Sequence, residues 1–263
     1  MLDSIESIVL ESNNLLGTVP TEIFDLPDLR EIKLKSNDIT FNYDGIENAK
    51  KLVRLHLSDT GLTSIDGIGK AKSLQYLHLT SNNLGLLPDE FFDLTNLQDV
   101  FLNYNGIQGT LSTRIGKLTS LENFFMFHNR ITGKIPTQVG YLTKLKTFAM
   151  AENFMSGTIP TELASLSSLQ IIALQREGGE TAPGIGGPLE VKTAGEIGAG
   201  FTGSIPAFDQ MPKLRELYLG ANSLSGTIPR DFLNGIQDKS ASIKVDLSQN
   251  NLVGTVPEKL TAF

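Results

Sequence analysis

Large apolar residues recur along the chain in the pattern Leu-x-x-Leu-x-Leu, with polar residues between them. The alternation predicts a short strand with one buried face in every copy of the pattern. Cutting the chain before each copy yields ten repeats, which begin at Ile5, Leu29, Leu52, Leu74, Leu97, Leu121, Leu145, Leu169, Leu214 and Ser242. The first seven intervals are 22 to 24 residues long, whereas the last two are 45 and 28. Because the period is nearly fixed, the sequence predicts a solenoid in which each repeat packs on its neighbours.

A polar residue also keeps a constant place, eight positions after the start of each repeat. It is asparagine in eight repeats, at Asn13, Asn37, Asn82, Asn105, Asn129, Asn153, Asn222 and Asn250, and Thr60 and Glu177 replace it in the other two. A polar side chain inside a turn needs hydrogen-bond partners, and stacked amides can serve the backbone groups left free where each strand bends away. The spacing therefore predicts an internal asparagine ladder.

A third motif follows the asparagine, always at the same position of the repeat. It reads GTVP from Gly17, GKIP from Gly133, GTIP from Gly157 and Gly226, GSIP from Gly203 and GTVP from Gly254. With it, the chain resembles the plant-type leucine-rich repeat, LxxLxLxxNxLxGxIPxxLxxLxx, most completely in LKTFAMAENFMSGTIPTELASLSS at 145–168. The resemblance implies an α/β repeat solenoid, a right-handed leucine-rich repeat with a concave parallel β-sheet and short helical or 3-10 convex turns. Receptor-kinase ectodomains and secreted inhibitor proteins have this repeat.

The sequence departs from that pattern in two ways. Repeats 2 to 4 read ITFNYDGI, LTSIDGI and LGLLPDEF where LxGxIP is expected, which predicts irregular curvature there. The family's paired cysteine caps are missing, so we expect 1–263 to be a single leucine-rich repeat domain of about ten repeats and a fragment lacking caps.

The long interval before Leu214 contains a glycine-rich insertion at 176–200, and the repeat phase returns at FTGSIP, 201–206. Two interpretations are open: a loop that completes a ligand pocket, and a tolerated surface insertion, which we favour because lengthening a flexible loop costs little.

The strand pattern predicts which residues stand on the concave face. If positions 0, 3 and 5 of a repeat face the core, then positions 2, 4, 6 and 7 are exposed. From the N-terminal repeats onward, the side chain at position 4 is first charged, then an imidazole, then an aromatic ring. At Ala149 and Ala173 it is a methyl group, with Ala151 at position 6 beside them, so the exposed surface should be flat there. Clustered aromatic rings on an exposed face indicate a partner site, although stacked rings can also simply stabilise a sheet. The predicted ligand-binding residues are His56, Tyr76, His78, Phe101, Tyr104, Phe125, Phe127 and His128.

The composition argues against several classes of partner and of catalytic or metal site. The net charge is −7, from 22 Lys and Arg against 29 Asp and Glu, which argues against nucleic acid and anionic membranes as partners. With no Cys there is no disulfide, thiolate metal site or cysteine nucleophile. Neighbouring His56 and His78 alone make a poor metal site, and no nucleophile with an oriented base is evident. We therefore expect no catalytic residues, no metal and no cofactor.

The leading hypothesis is a non-catalytic recognition module that binds a peptide or protein ligand on its concave face, within a receptor-like or secreted protein that takes part in signal transduction. The alternatives are an intracellular protein-interaction scaffold and a carbohydrate-binding or ice-binding protein. The repeat type favours an extracellular or cell-surface parent, whereas the absence of Asn-x-Ser/Thr leaves a cytoplasmic one open. We expect no direct membrane contact by this chain, and the sequence does not determine its oligomeric state.

Overall fold

One parallel sheet organises the molecule, with one three-residue strand from each repeat. The computed structural model describes residues 4–176, 200–238, 240 and 242–261. The ten strands pair in chain order and are Ser7–Val9, Glu31–Lys33, Arg54–His56, Tyr76–His78, Asp99–Phe101, Asn123–Phe125, Thr147–Ala149, Ile171–Ala173, Glu216–Tyr218 and Lys244–Asp246. Each strand covers positions 2 to 4 of its repeat, and equal positions pair in register, as Leu77 does with Val100. The structure thus confirms the leucine-rich repeat solenoid.

The core lies behind this sheet and is built from the repeated apolar positions. In repeat 6, Leu121, Phe124 and Met126 are all fully buried, at positions 0, 3 and 5. The same positions of neighbouring repeats stack above and below them, so one continuous core runs through the solenoid.

The predicted asparagine ladder is present. The buried Asn129 amide nitrogen donates to the carbonyls of Leu102 at 3.0 Å and Met126 at 3.1 Å, while its oxygen accepts from the Ile107 amide at 3.0 Å. In the same way, the asparagines from Asn37 onward tie their own repeat to the one before it. In repeat 3, Thr60 keeps one of these bonds, because its hydroxyl donates to the Leu57 carbonyl at 2.8 Å.

The convex side consists of short helical turns. The 3-10 turns are Thr21–Asp25, Ile46–Asn48, Ile68–Lys70, Asp89–Asp93, Thr113–Lys117, Thr137–Tyr141 and Glu258–Thr261, and one α-helical turn spans Thr161–Ala164. The GxIP motif leads into several of them, since its proline occupies the position before the turn, as Pro160 does. The glycine of the motif has a left-handed backbone conformation, with φ of 80° at Gly157. Residues that carry a side chain rarely adopt this conformation.

Short lateral strands lie between the concave sheet and the convex turns. They are Leu16–Thr18 with Asp38–Thr40, then Gln108–Thr110 with Arg130–Gly133 and Phe154–Met155, then Thr202–Gly203 with Ser223–Gly226 and Asn251–Leu252. Repeats 3 and 4, all of whose residues are described, contribute none, and these are among the repeats that depart from the GxIP pattern.

The scaffold is continuous across the long interval between repeats 8 and 9. Ile172 pairs directly with Leu217, and the Asn222 side chain donates to the Leu174 carbonyl at 3.1 Å. The predicted insertion at 176–200 lies outside the described residues except for its two ends. Among the residues that the structure describes, no helix is both long and apolar enough to cross a membrane.

Candidate functional site

Four rings form a row across the concave sheet at position 4 of repeats 3 to 6. The strands hold His56, His78, Phe101 and Phe125 in register, one ring per strand. Their centroids are 5.0, 4.2 and 4.7 Å apart in that order, and the two phenyl rings are stacked with an interplanar angle of 9°. All four are half-buried. The predicted adjacency of His56 with His78 is therefore confirmed, and Phe101 lies beside Phe125 in the same way. We call these four residues the ring row.

A second, shorter group of rings lies beyond the strand ends. The Tyr104 ring stacks on the His128 ring with centroids 4.5 Å apart and meets Phe127 edge-on at 5.3 Å. Both Tyr104 and His128 have left-handed backbones, with φ of 57° and 53°. The chain thus turns out of the sheet at this position in both repeats, and the two side chains meet there.

The prediction that Phe127 and His128 are exposed is wrong, because both are buried. The strand of repeat 6 ends at Phe125, so the alternation of exposed and buried side chains does not extend to the next residues. Phe127 instead packs against Ala149 and Ala151 of the following repeat. His128 is enclosed by the rings of Tyr104 and Phe127. Tyr76, Tyr104 and the ring row remain half-buried and accessible.

The expectation of a flat exposed surface at repeats 7 and 8 is also wrong. Ala149, Ala151 and Ala173 are fully buried and form a small apolar cluster with Phe127 and Tyr218. Large rings on both sides of the alanines occupy the space that the small side chains leave. The accessible rings of the concave face therefore lie over repeats 3 to 6.

A trough of about 320 Å³ crosses the accessible face between positions 2 and 4 of repeats 2 to 5. Its lining residues are Glu31, Lys33, Arg54, Leu55, His56, Tyr76, His78, Asp99 and Phe101. Sequence reasoning did not single out Glu31, Arg54 and Asp99, although position 2 read in order gives Glu31, Arg54, Tyr76 and Asp99 and would have found them. The trough is closed at repeat 2 by the Glu31 to Lys33 ion pair at 2.9 Å.

The two histidines of the ring row differ in their contacts. His56 Nδ1 lies 3.0 Å from the Glu11 carboxylate, a partner that the sequence did not predict, and yet desolvation by burial lowers the pKa of His56. For His78, burial lowers the pKa to about 4, with a smaller contribution from His56. His78 is therefore neutral at physiological pH. Within the described ranges, no cluster of three His, Cys, Asp or Glu residues could hold a metal ion.

Comparison with known proteins agrees with the repeat pattern and the fold. The families described as leucine rich repeat match residues 72–131 and 213–234. Two solved structures, a TDR receptor and the plant peptide hormone receptor RGFR1 in complex with RGF2, superpose with TM-scores of 0.72 and 0.78. The chain is a leucine-rich repeat protein of the plant type. No curated protein matches this leucine-rich repeat chain.

The superpositions cover nearly all of the leucine-rich repeat chain but less than half of each neighbour. Identity is 28% over 99% of the chain and 46% of the TDR receptor, and 27% over 99% of the chain and 42% of RGFR1. A third neighbour is the ectodomain of the receptor kinase GASSHO1/SCHENGEN3 from Arabidopsis thaliana, in complex with CASPARIAN STRIP INTEGRITY FACTOR 2. It has a TM-score of 0.72 and 27% identity over 97% of the chain and 31% of that ectodomain.

Proposed function

We propose that this leucine-rich repeat protein is a recognition module that binds a peptide, or an extended segment of a protein, along the open concave face of repeats 2 to 6. The observation that carries the proposal is the ring row, in which His56, His78, Phe101 and Phe125 stack on one another while staying half-buried. Rings that are held rigidly and left partly accessible offer much contact area at little entropic cost.

The charge state of the row favours an apolar contact. Because its pKa is about 4, the His78 imidazole is neutral and adds no charge beside Phe101. Glu11 lies against His56 at the opposite end from Phe125. The phenyl end of the row therefore suits a large aliphatic or aromatic side chain.

Analogy with the neighbours supports a peptide as the ligand. RGFR1 is a plant peptide hormone receptor solved with RGF2, and the GASSHO1/SCHENGEN3 ectodomain is solved with CASPARIAN STRIP INTEGRITY FACTOR 2. Since the chain spans less than half of these proteins, a receptor-like parent on the cell surface is part of the proposal and rests on fold-level analogy.

A displayed random-peptide library tests the proposal. Because Phe127 belongs to a buried cluster, the informative variant is Phe101→Ser with Phe125→Ser, which changes only half-buried rings. Tyr141→Ser is the matched control, since this ring is 64% exposed on a convex turn. Circular dichroism establishes that both variants are folded.

We expect the native protein and Tyr141→Ser to enrich the same peptides, and the double variant to lose them. Equal enrichment by all three proteins would place the binding site away from the ring row. If the native protein enriched no peptide, a glycan array would then decide whether the carbohydrate-binding alternative replaces the proposal.

A further inference from the structure

The trough carries a positive charge at repeat 3 and a negative charge at repeat 5. At repeat 3, the Arg54 guanidinium lies 4.6 Å from the centroid of the Tyr76 ring. At repeat 5, Asp99 accepts a hydrogen bond from the Asn123 side chain at 2.6 Å. Within the parts of the chain that the structure describes, neither Arg54 nor Asp99 forms an ion pair.

The acidic residue nearest to Arg54 on its own row is already engaged. Glu31 bonds Lys33 at 2.9 Å and accepts from the Ser7 hydroxyl at 2.9 Å, and its electrostatic interaction with Arg54 on the next strand is weaker than these contacts. A guanidinium whose face rests on an aromatic ring still has its N–H edge available, and that edge matches a carboxylate in a two-point contact. Arg54 is thus a preorganised site for an anionic group at the N-terminal end of the trough.

The distance to the apolar end is set by the sheet. Arg54 is at position 2 of its repeat, whereas Phe101 and Phe125 are at position 4 of repeats 5 and 6. With strands about 4.8 Å apart and a rise of about 3.3 Å per residue along a strand, the midpoint between Phe101 and Phe125 lies about 14 Å from Arg54. An extended peptide advances about 3.3 Å per residue and returns its side chains to the same side every second residue. A span of four residues, about 13 Å, therefore matches both the distance and the side.

We infer that the trough selects an extended peptide whose acidic side chain, four residues from a large aromatic or aliphatic side chain, contacts Arg54 while the apolar side chain packs on Phe101 and Phe125. The inference rests on the proposed peptide binding and adds the ligand's chemistry and spacing. Asp99 fixes the orientation, because it repels an acidic group placed at the phenyl end.

A second displayed library tests the spacing. Each peptide carries Phe or Ser at one anchor position, one Glu or Gln placed one to six residues away on either side, and randomised small polar residues elsewhere. The targets are the native protein, Arg54→Glu, and Arg130→Glu as the control. Arg130 is also exposed and undergoes the same change of charge, but it lies on a lateral strand.

We expect the native protein and Arg130→Glu to enrich Glu over Gln about threefold to tenfold, with the maximum at a spacing of four on one side of the Phe. Arg54→Glu should abolish this preference yet still enrich the Phe. High salt should weaken the Glu preference more than the Phe enrichment.

The two proposals fail in different ways. If Arg54→Glu left the Glu preference unchanged, or if the preference had no maximum at a spacing of four, the inference about the trough would be wrong while peptide binding would stand. If the native protein enriched neither Phe nor Glu, the proposed function itself would be contradicted.

Discussion

Removing one central rung of the asparagine ladder should destabilise the whole solenoid. In Asn129→Ala, the Ile107 amide loses its acceptor, and the carbonyls of Leu102 and Met126 each lose a donor. Asn129 is 1% exposed, so water does not replace the side chain. An orphaned buried amide costs about 1–3 kcal/mol and each lost carbonyl bond about 0.5–1.5 kcal/mol. Because alanine also spares the cost of burying an amide, we expect a net loss of about 3 kcal/mol.

Asn13→Ala is the matched control, since Asn13 holds the same place in repeat 1 but is exposed. It donates only to the carbonyls of Leu10 at 2.9 Å and Glu11 at 3.2 Å, and water can take over both bonds. We expect a loss below about 1 kcal/mol. Asn129→Thr should recover about 1 kcal/mol, because Thr60 shows that a hydroxyl can make one ladder bond.

Urea denaturation followed by circular dichroism measures the free energy of unfolding of these variants. Hydrogen exchange of the Ile107 amide reports on the same bond directly, and this amide should exchange faster in Asn129→Ala than in the native protein. If Asn129→Ala and Asn13→Ala lost equal stability, the buried part of the ladder would not contribute the stability that its hydrogen bonds indicate.

Three other predictions concern individual residues. The His78 pKa of about 4 means that the unfolded chain is protonated first, so stability should fall by on the order of 2 kcal/mol between pH 6.5 and 4. Thermal melts should show that His78→Phe removes this part of the pH dependence, and an unchanged dependence would contradict the burial of His78. In urea, Phe127→Ala should lose about 3 kcal/mol and Phe125→Ala only about 1, whereas equal losses would contradict the different burial of the two rings. Gly157→Ala should cost about 1 kcal/mol or more because of its φ of 80°, and a neutral result would refute that strain.

The fold could be predicted from the sequence because the same pattern of apolar and polar positions recurs in ten repeats. Each repeat alone, such as the one from Leu121, is too short for a confident assignment, but a shared phase of leucine, asparagine and glycine excludes other architectures. The register of the sheet follows from that phase, and Phe101 therefore had to lie beside Phe125.

The site was predicted only in part, because alternation holds only while the chain is extended. It placed Tyr76 and the ring row correctly, yet it failed for Phe127, which lies past the end of a three-residue strand. The contact between Glu11 and His56 spans from repeat 1 to repeat 3. It depends on how far two side chains reach, and a pattern of positions does not contain that information.

The most direct test of the central claim is to identify the residues that a captured peptide touches. A peptide enriched by the native protein is synthesised with a photoreactive benzoyl-phenylalanine in place of its apolar anchor, irradiated with the protein, and the products are mapped by mass spectrometry. The account predicts crosslinks at Phe101, Phe125 and Tyr76, on the open concave face of repeats 4 to 6. Crosslinks confined to the convex turns, such as Thr137–Tyr141, would contradict it.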